Sequence, residues 1–126
     1  MSTKVLVIDD DVLLTNMLRD TLGQDDFEVF VANAGVEGVK LAQQLQPDVI
    51  VLDLMMPGMS GWEACKTIRS FSPTPILILS AVVDSEMVMR AMDEGADDYM
   101  LKPTTSNLLA SRLRRLTQQA RITRKD

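Results

Sequence analysis

The sequence contains no histidine and only one cysteine, Cys65. Without imidazole, serine-type triads, histidine acid–base chemistry and imidazole-bound zinc all lose their usual participant. One thiol permits neither an internal disulfide nor a thiolate metal cluster, which agrees with a reducing cytosol. Six glycines and five prolines, with no long biased run, exclude a collagenous or low-complexity chain. No apolar run approaches the ~20 residues that span a bilayer, and no basic region precedes an apolar run and cleavage site at the start. Neither membrane insertion nor Sec-type export is expected. What remains is 126 residues, 46% hydrophobic and 25% charged, enough for one packed core.

The net charge of -5 is unevenly spread. Residues 1–102 carry 17 acids against 7 bases, whereas 103–126 carry 6 bases against Asp126 alone. The basic end comprises Arg112, Arg114, Arg115, Arg121, Arg124 and Lys125. It reads as favourable charge at a helix C-terminus followed by a soluble tail or the start of a linker over 121–126. No nucleic-acid recognition module is visible.

Short β-branched runs at Val5–Ile8, Val29–Ala32, Val49–Leu52, Ile76–Leu79 and Tyr99–Leu101 alternate with helix-period segments. The helices are expected near Leu13–Leu22, Gly35–Leu45, Gly61–Phe71, Ser85–Glu94 and Ser106–Gln119. Leu14, Met17, Leu18 and Leu22 form the expected buried stripe of the first helix. Five strand–helix alternations imply an open α/β sheet with right-handed crossovers. The first, third and fourth strands are apolar almost throughout, as in a parallel sheet covered on both faces.

In such sheets ligands bind beyond the carboxyl ends of the strands. Asp9, Asp10 and Asp11 follow the first strand, Asp53 ends the third, Ser80 ends the fourth and Lys102 follows the fifth. Each has a plain structural alternative: Asp11 can cap a helix, Ser80 can start a turn and Lys102 can simply be exposed. As a set they form a charged rim. Two carboxylates ~4 Å apart repel by roughly 4 kcal/mol at an effective dielectric near 20, so the cluster needs compensating cations. Lys102 supplies one, and hard oxygen donors without nitrogen or sulfur point to Mg²⁺ for the rest. A carboxylate beside Mg²⁺, a lysine and a hydroxyl is equipped to accept a phosphoryl group, with Asp53 as the in-line nucleophile.

The runs V-L-V-I-D-D-D at 5–11, D-L-M-M-P-G-M-S-G at 53–61, L-S-A at 79–81 and G-A-D-D-Y-M-L-K-P at 95–103 together resemble the receiver domain of bacterial two-component response regulators. The resemblance covers residues 4 to about 116. It implies a flavodoxin-like, doubly wound five-stranded parallel sheet of order 2-1-3-4-5 with five helices, in a receiver domain spanning 1–120. It further implies Asp53 as phosphoacceptor, with Asp9, Asp10 and the backbone carbonyl of Met55 joining Asp53 around Mg²⁺. Ser80 and Lys102 would contact the phosphoryl group, the Lys102–Pro103 peptide would be cis, and Ser80 with Tyr99 would form the switch. The expected donor is a histidine kinase or histidine phosphotransfer protein. The expected output surface is the fourth helix, fifth strand and fifth helix, acting on a downstream domain or protein. By the same resemblance the protein is cytoplasmic, binds neither membrane nor nucleic acid through this domain, and turns over no external substrate.

Some positions depart from the pattern. Thr104 stands where an aromatic is common. Arg90, Asp97 and Arg112 resemble the charged dimer face of the winged-helix subgroup, but Leu108 replaces its usual acid, so a homodimer through that face stays open. Met87, Met89, Met92 and Met100 lie on or near the output face, with core packing as their expected role. Trp62 is expected to pack at the start of the third helix. Asp9-Asp10-Asp11-Val12 also resembles the nucleophile motif of haloacid-dehalogenase-type phosphatases, with Asp9 attacking and Asp11 as acid/base. That family needs a further acid after the lysine, and only Asp126 is available. A third alternative is a receiver-like module that only binds protein.

Overall fold

The computed structural model describes residues 2–125. The elements run β1 (Thr3–Ile8), α1 (Val12–Gly23), β2 (Phe27–Ala32), α2 (Gly35–Leu45), β3 (Val49–Leu52), α3 (Gly61–Arg69), β4 (Ile76–Ser80), α4 (Ser85–Asp93), β5 (Asp98–Leu101) and α5 (Ser106–Lys125). All strand pairings are parallel, in the order β2-β1-β3-β4-β5. This is the doubly wound, flavodoxin-like arrangement of five strands and five helices anticipated above. Helix α5 runs past the expected end at Gln119 to Lys125, and Asp126 lies outside the described residues.

Successive side chains of a strand point to opposite faces, and the two cores follow that alternation. Leu6, Ile8, Ile50, Leu52, Ile76 and Ile78 pack with Ala42 of α2, Ala64, Cys65 and Ile68 of α3 and Ala91 of α4. Val5, Val7, Val49, Val51, Leu77 and Leu79 pack with Leu18 and Leu22 of α1 and Leu109 and Leu113 of α5. Fully burying a Leu or Ile side chain contributes about 1.5–3 kcal/mol, so β1, β3 and β4, covered on both faces, anchor the domain. Edge strands β2 and β5 are only partly covered.

The helix starts are specified locally. Asp11 caps α1 by accepting from the Leu14 N–H at 3.1 Å. Ser60 and Glu63 form a capping box on α3, and Asp84 accepts from Glu86 and Met87 at the start of α4. The stripe expected on α1 is rotated: Met17 is exposed and Thr15 is buried instead. Thr15 is accommodated because its hydroxyl donates to the Val12 carbonyl and accepts from Asn33.

Cys65 is fully buried in the α3 core, and burial pushes its thiol up to about 11. Native protein at pH 8 should therefore react with an aromatic disulfide reagent orders of magnitude more slowly than unfolded protein in urea. Equal rates would contradict the packing of α3 on the sheet.

Candidate functional site

Parallel strands that end at one edge deliver their following residues to one rim. Asp9 follows Ile8 of β1, whose register partner is Leu52 of β3, the residue before Asp53. The two carboxylates are thus neighbours by register. The Asp53 N–H donates to the Ile8 carbonyl at 3.0 Å, and the Asp9 N–H to the Ala32 carbonyl at 3.0 Å. Asn33 adds a positioning contact that the sequence reading missed: its amide donates to the Asp9 carbonyl at 2.9 Å and to the Thr15 hydroxyl at 3.0 Å.

One ligand oxygen from each of Asp9, Asp10 and Asp53 lies within 4.8 Å of the others. Asp9 and Asp53 are 3% and 6% exposed, whereas Asp10 faces solvent and leaves the cluster open on one side. Backbone N–H groups fix both buried carboxylates: Asp11 donates to Asp9 Oδ1 at 2.9 Å, and Leu54 donates to Asp53 Oδ1 at 2.8 Å. Lys102 Nζ reaches Asp9 Oδ2 at 2.7 Å and Asp53 Oδ2 at 3.4 Å. An all-oxygen donor set with one open side fits a hard divalent cation.

Burial raises the pKa of Asp9, and the hydrogen bond from Lys102 works against that rise. Burial alone would lower Lys102, but the Asp9 hydrogen bond and the charge of Asp53 outweigh it, and its pKa rises. The lysine therefore stays protonated through neutral pH.

Ser80 ends β4 and is buried; its hydroxyl accepts a long 3.4 Å bond from the Val82 N–H. The Lys102 N–H donates to the Ser80 carbonyl at 2.9 Å, joining the ends of β4 and β5. The Lys102–Pro103 peptide is cis, as expected. Tyr99 is half-buried against the α3-side core, and its hydroxyl donates to the Val82 carbonyl. Burial raises its pKa, the Ser80 hydroxyl opposing and the charge of Asp53 adding. Met55 lies two residues after Asp53 with its side chain exposed. Thr104, the departure noted after Lys-Pro, has a hydroxyl without a partner among the described residues.

Residues 5–114 match the response regulator receiver domain family. The chain belongs to that family. It is 37% identical over 126 residues to the DNA-binding response regulator MtrA of Mycobacterium tuberculosis strain H37Rv, covering 100% of this chain and 53% of that protein. It is 44% identical over 107 residues to a protein-glutamate methylesterase/protein-glutamine glutaminase of Methanococcus maripaludis, covering 82% of this chain and 29% of that protein. The receiver domain of Francisella response regulator 1452 superposes with a TM-score of 0.88 at 32% identity, covering 94% of this chain and 99% of that one. The chain spans about half the length of the MtrA relatives it matches. It is a receiver domain of a two-component response regulator.

The receiver surface differs from one expectation, that for the α4 methionines, and its charged side chains Arg90, Asp97 and Arg112 are engaged within the domain. Asp97 Oδ2 is held by Arg69 at 2.6 Å and by the Ile76 N–H at 2.8 Å, so Asp97 serves as a brace between α3 and the starts of β4 and β5. Arg112 pairs with Asp98 at 2.9 Å, and Arg90 lies over the Trp62 ring. Met87, Met89 and Met92 are exposed together on α4, and only Met100 packs in the core. The reason is geometric: Ala91 is the sole buried residue of α4, so its remaining faces turn outward.

Proposed function

We propose that Asp53 accepts a phosphoryl group from a histidine kinase or histidine phosphotransfer protein in a Mg²⁺-dependent reaction. The observation that carries this reading is the convergence of Asp9, Asp10 and Asp53 with the Lys102 ammonium bridging the two buried carboxylates. An Asp53 carboxylate oxygen forms the new P–O bond while the donor's bond to phosphorus breaks. The leaving group keeps that electron pair, and Asp53 gives up no proton because it attacks as the carboxylate. Mg²⁺, held by Asp9, Asp10, Asp53 and the Met55 backbone carbonyl, would supply charge stabilisation to the phosphoryl oxygens. Lys102 supplies the protein's own cation at the same place, and the Ser80 hydroxyl donates to the phosphoryl group once formed.

Ser80 and Tyr99 then form the switch, since both bear on the loop at Val82 that leads into α4. Tyr99 as described above, half-buried with its hydroxyl on the Val82 carbonyl, takes the inward position that this mechanism assigns to the phosphorylated form. The output surface is α4, β5 and α5, addressing a downstream domain or protein, with homodimerisation through the same face as an additional association. The chain turns over no external substrate in this reading and works in the cytoplasm. No helix among the described residues is long and apolar enough to cross a membrane. Residues 1–120 are assigned to the receiver and 121–126 to a basic tail or the start of a linker.

The hydrolase alternative assigns acid/base work to Asp11, which is occupied as the cap of α1. Incubation with Mg²⁺ and acetyl phosphate, followed by intact mass, distinguishes the readings. Wild-type protein should gain one phosphoryl mass, Asp53→Asn should gain none, and Asp9→Asn should retain partial labelling. Steady turnover that depends on Asp9 instead would replace this reading with the hydrolase.

A further inference from the structure

Helix α4 is weakly anchored for an element that carries an output surface. Its one buried residue is Ala91. Just past its C-terminal end, Cys65 Sγ donates to the Glu94 carbonyl at 3.6 Å, and Arg69 Nε donates to the Gly95 carbonyl at 2.9 Å. The helix itself is held differently. The Trp62 indole N–H donates to the Met87 carbonyl at 3.0 Å, and the Arg90 guanidinium sits 5.0 Å from the indole ring centroid. Trp62 is 7% exposed, so its hydrogen bond is part-buried, whereas Arg90 is exposed and covers the indole from the solvent side.

The base of this indole is fixed to the Asp53 loop. Gly61, its chain neighbour, donates its N–H to the Leu54 carbonyl at 2.8 Å, and a Cβ at position 61 would stand 2.0 Å from the Asp53 carbonyl oxygen. The start of α3 is therefore pressed directly on the backbone of Asp53 and Leu54. A continuous path runs from Asp53 through Gly61 and Trp62 to Met87 and Arg90. It is separate from the path through Ser80 and Tyr99, which grips the same segment five residues earlier, at Val82.

We propose that Trp62 is a positioning residue that clasps α4, acting with Tyr99 to hold residues 82–90 in one arrangement. Changes at the Asp53 loop then reach the methionine-bearing surface of α4 by two routes. Because both grips are made in the same conformation, the clasp favours the inward position of Tyr99. The link to signalling rests on the phosphoacceptor reading of Asp53; the clasp itself does not.

Amide hydrogen exchange on the full chain tests the clasp without any phosphodonor. Trp62→Phe keeps an aromatic ring but removes the donor, and should speed exchange of the α4 amides by ~3- to 10-fold relative to those of α3, the equilibrium worth of one neutral hydrogen bond. Arg90→Met lies on the surface and should not disturb folding; it should speed the same amides by ~2- to 5-fold. In a Tyr99→Phe background the effect of Trp62→Phe should shrink, because the partner grip is already released. Unchanged α4 exchange in both single variants overturns the clasp, and effects that simply multiply overturn its coupling to Tyr99.

Titration with beryllium fluoride and Mg²⁺, which mimic a phosphoryl group on a carboxylate, reads the signalling link. Wild type should bind, and Trp62→Phe should bind ~3- to 10-fold more weakly. Equal binding by both overturns the role of Trp62 in the switch. Failure of wild type to bind overturns the phosphoacceptor reading and leaves the exchange experiment to judge the clasp.

Discussion

Replacing Gly61 by alanine should destabilise the domain by about 3 kcal/mol or more, the largest loss expected from one added methyl group in this chain. The new Cβ would lie 2.0 Å from the Asp53 carbonyl oxygen, 2.6 Å from the Leu54 Cα and 2.8 Å from the Asp53 carbonyl carbon. All three are backbone atoms, so no side-chain rotation relieves the clash. Either α3 lifts from the sheet edge or the Asp53 loop is displaced. Gly23→Ala is the control, since nothing lies within 4 Å of a Cβ there; it should be neutral or slightly stabilising. Urea unfolding of the two variants decides the matter, and equal midpoints would mean that α3 does not rest on Asp53.

Lys102→Met is expected to have a large effect on chemistry, second only to the complete loss in Asp53→Asn. Removing the ammonium leaves Asp9 buried, with Asp53 nearby and no cation between them. Loss of one partner from a fully buried pair costs about 3–5 kcal/mol; because Lys102 is partly exposed, about 2 kcal/mol at pH 7 is the appropriate scale. The sign with pH follows from the two groups. The raised pKa of Lys102 means that its contribution is complete below its ordinary value of 10.5 and is lost at higher pH. Burial already favours protonated Asp9, and without the lysine this preference grows. The destabilisation by Lys102→Met should therefore hold its full value from neutral pH up to about 10.5 and diminish as the pH falls into the carboxylate range. Added Mg²⁺ should stabilise the variant more than wild type, since the uncompensated cluster is more negative. Labelling by acetyl phosphate should fall by about 10²-fold, as expected when a cation aimed at the transferring group is lost. Undiminished labelling would exclude Lys102 from the transfer step.

Much of the architecture was legible because it is local. The β-branched runs and the 3.6-residue stripes between them were separable by period, and α2 and β3 fall where the periodicity put them. Errors in the other elements are confined to their ends, where capping and fraying rather than pattern set the boundary. Helix α5 extends beyond its expected end because its last turns, rich in arginine, carry no breaker. On α1 the apolar stripe misassigned Met17, since a threonine whose hydroxyl is satisfied locally can take a core position.

The rim was legible for a related reason. In a parallel sheet, chain position after a strand is also position in space, so Asp9, Asp10, Asp53 and Lys102 could be assembled from three short stretches of sequence. What that reasoning lacked were the groups that aim them: Asn33 behind Asp9, and Gly61 against Asp53. An amide after a strand and a glycine before a helix have many ordinary explanations, and neither announces its contact.

The sequence by itself determined the alternating α/β order, the identities of the residues at the strand ends and their family, because each depends on neighbours a few positions away. Only the tertiary structure decided that Arg69 takes Asp97, that the Trp62 indole bonds to α4, and that three methionines face solvent. Those outcomes depend on how separate helices dock. Arg69 and Asp97 stand 28 residues apart, and Trp62 and Met87 stand 25 apart. At such separations charge and hydrophobicity allow many pairings, and the packing of side chains on the sheet selects one.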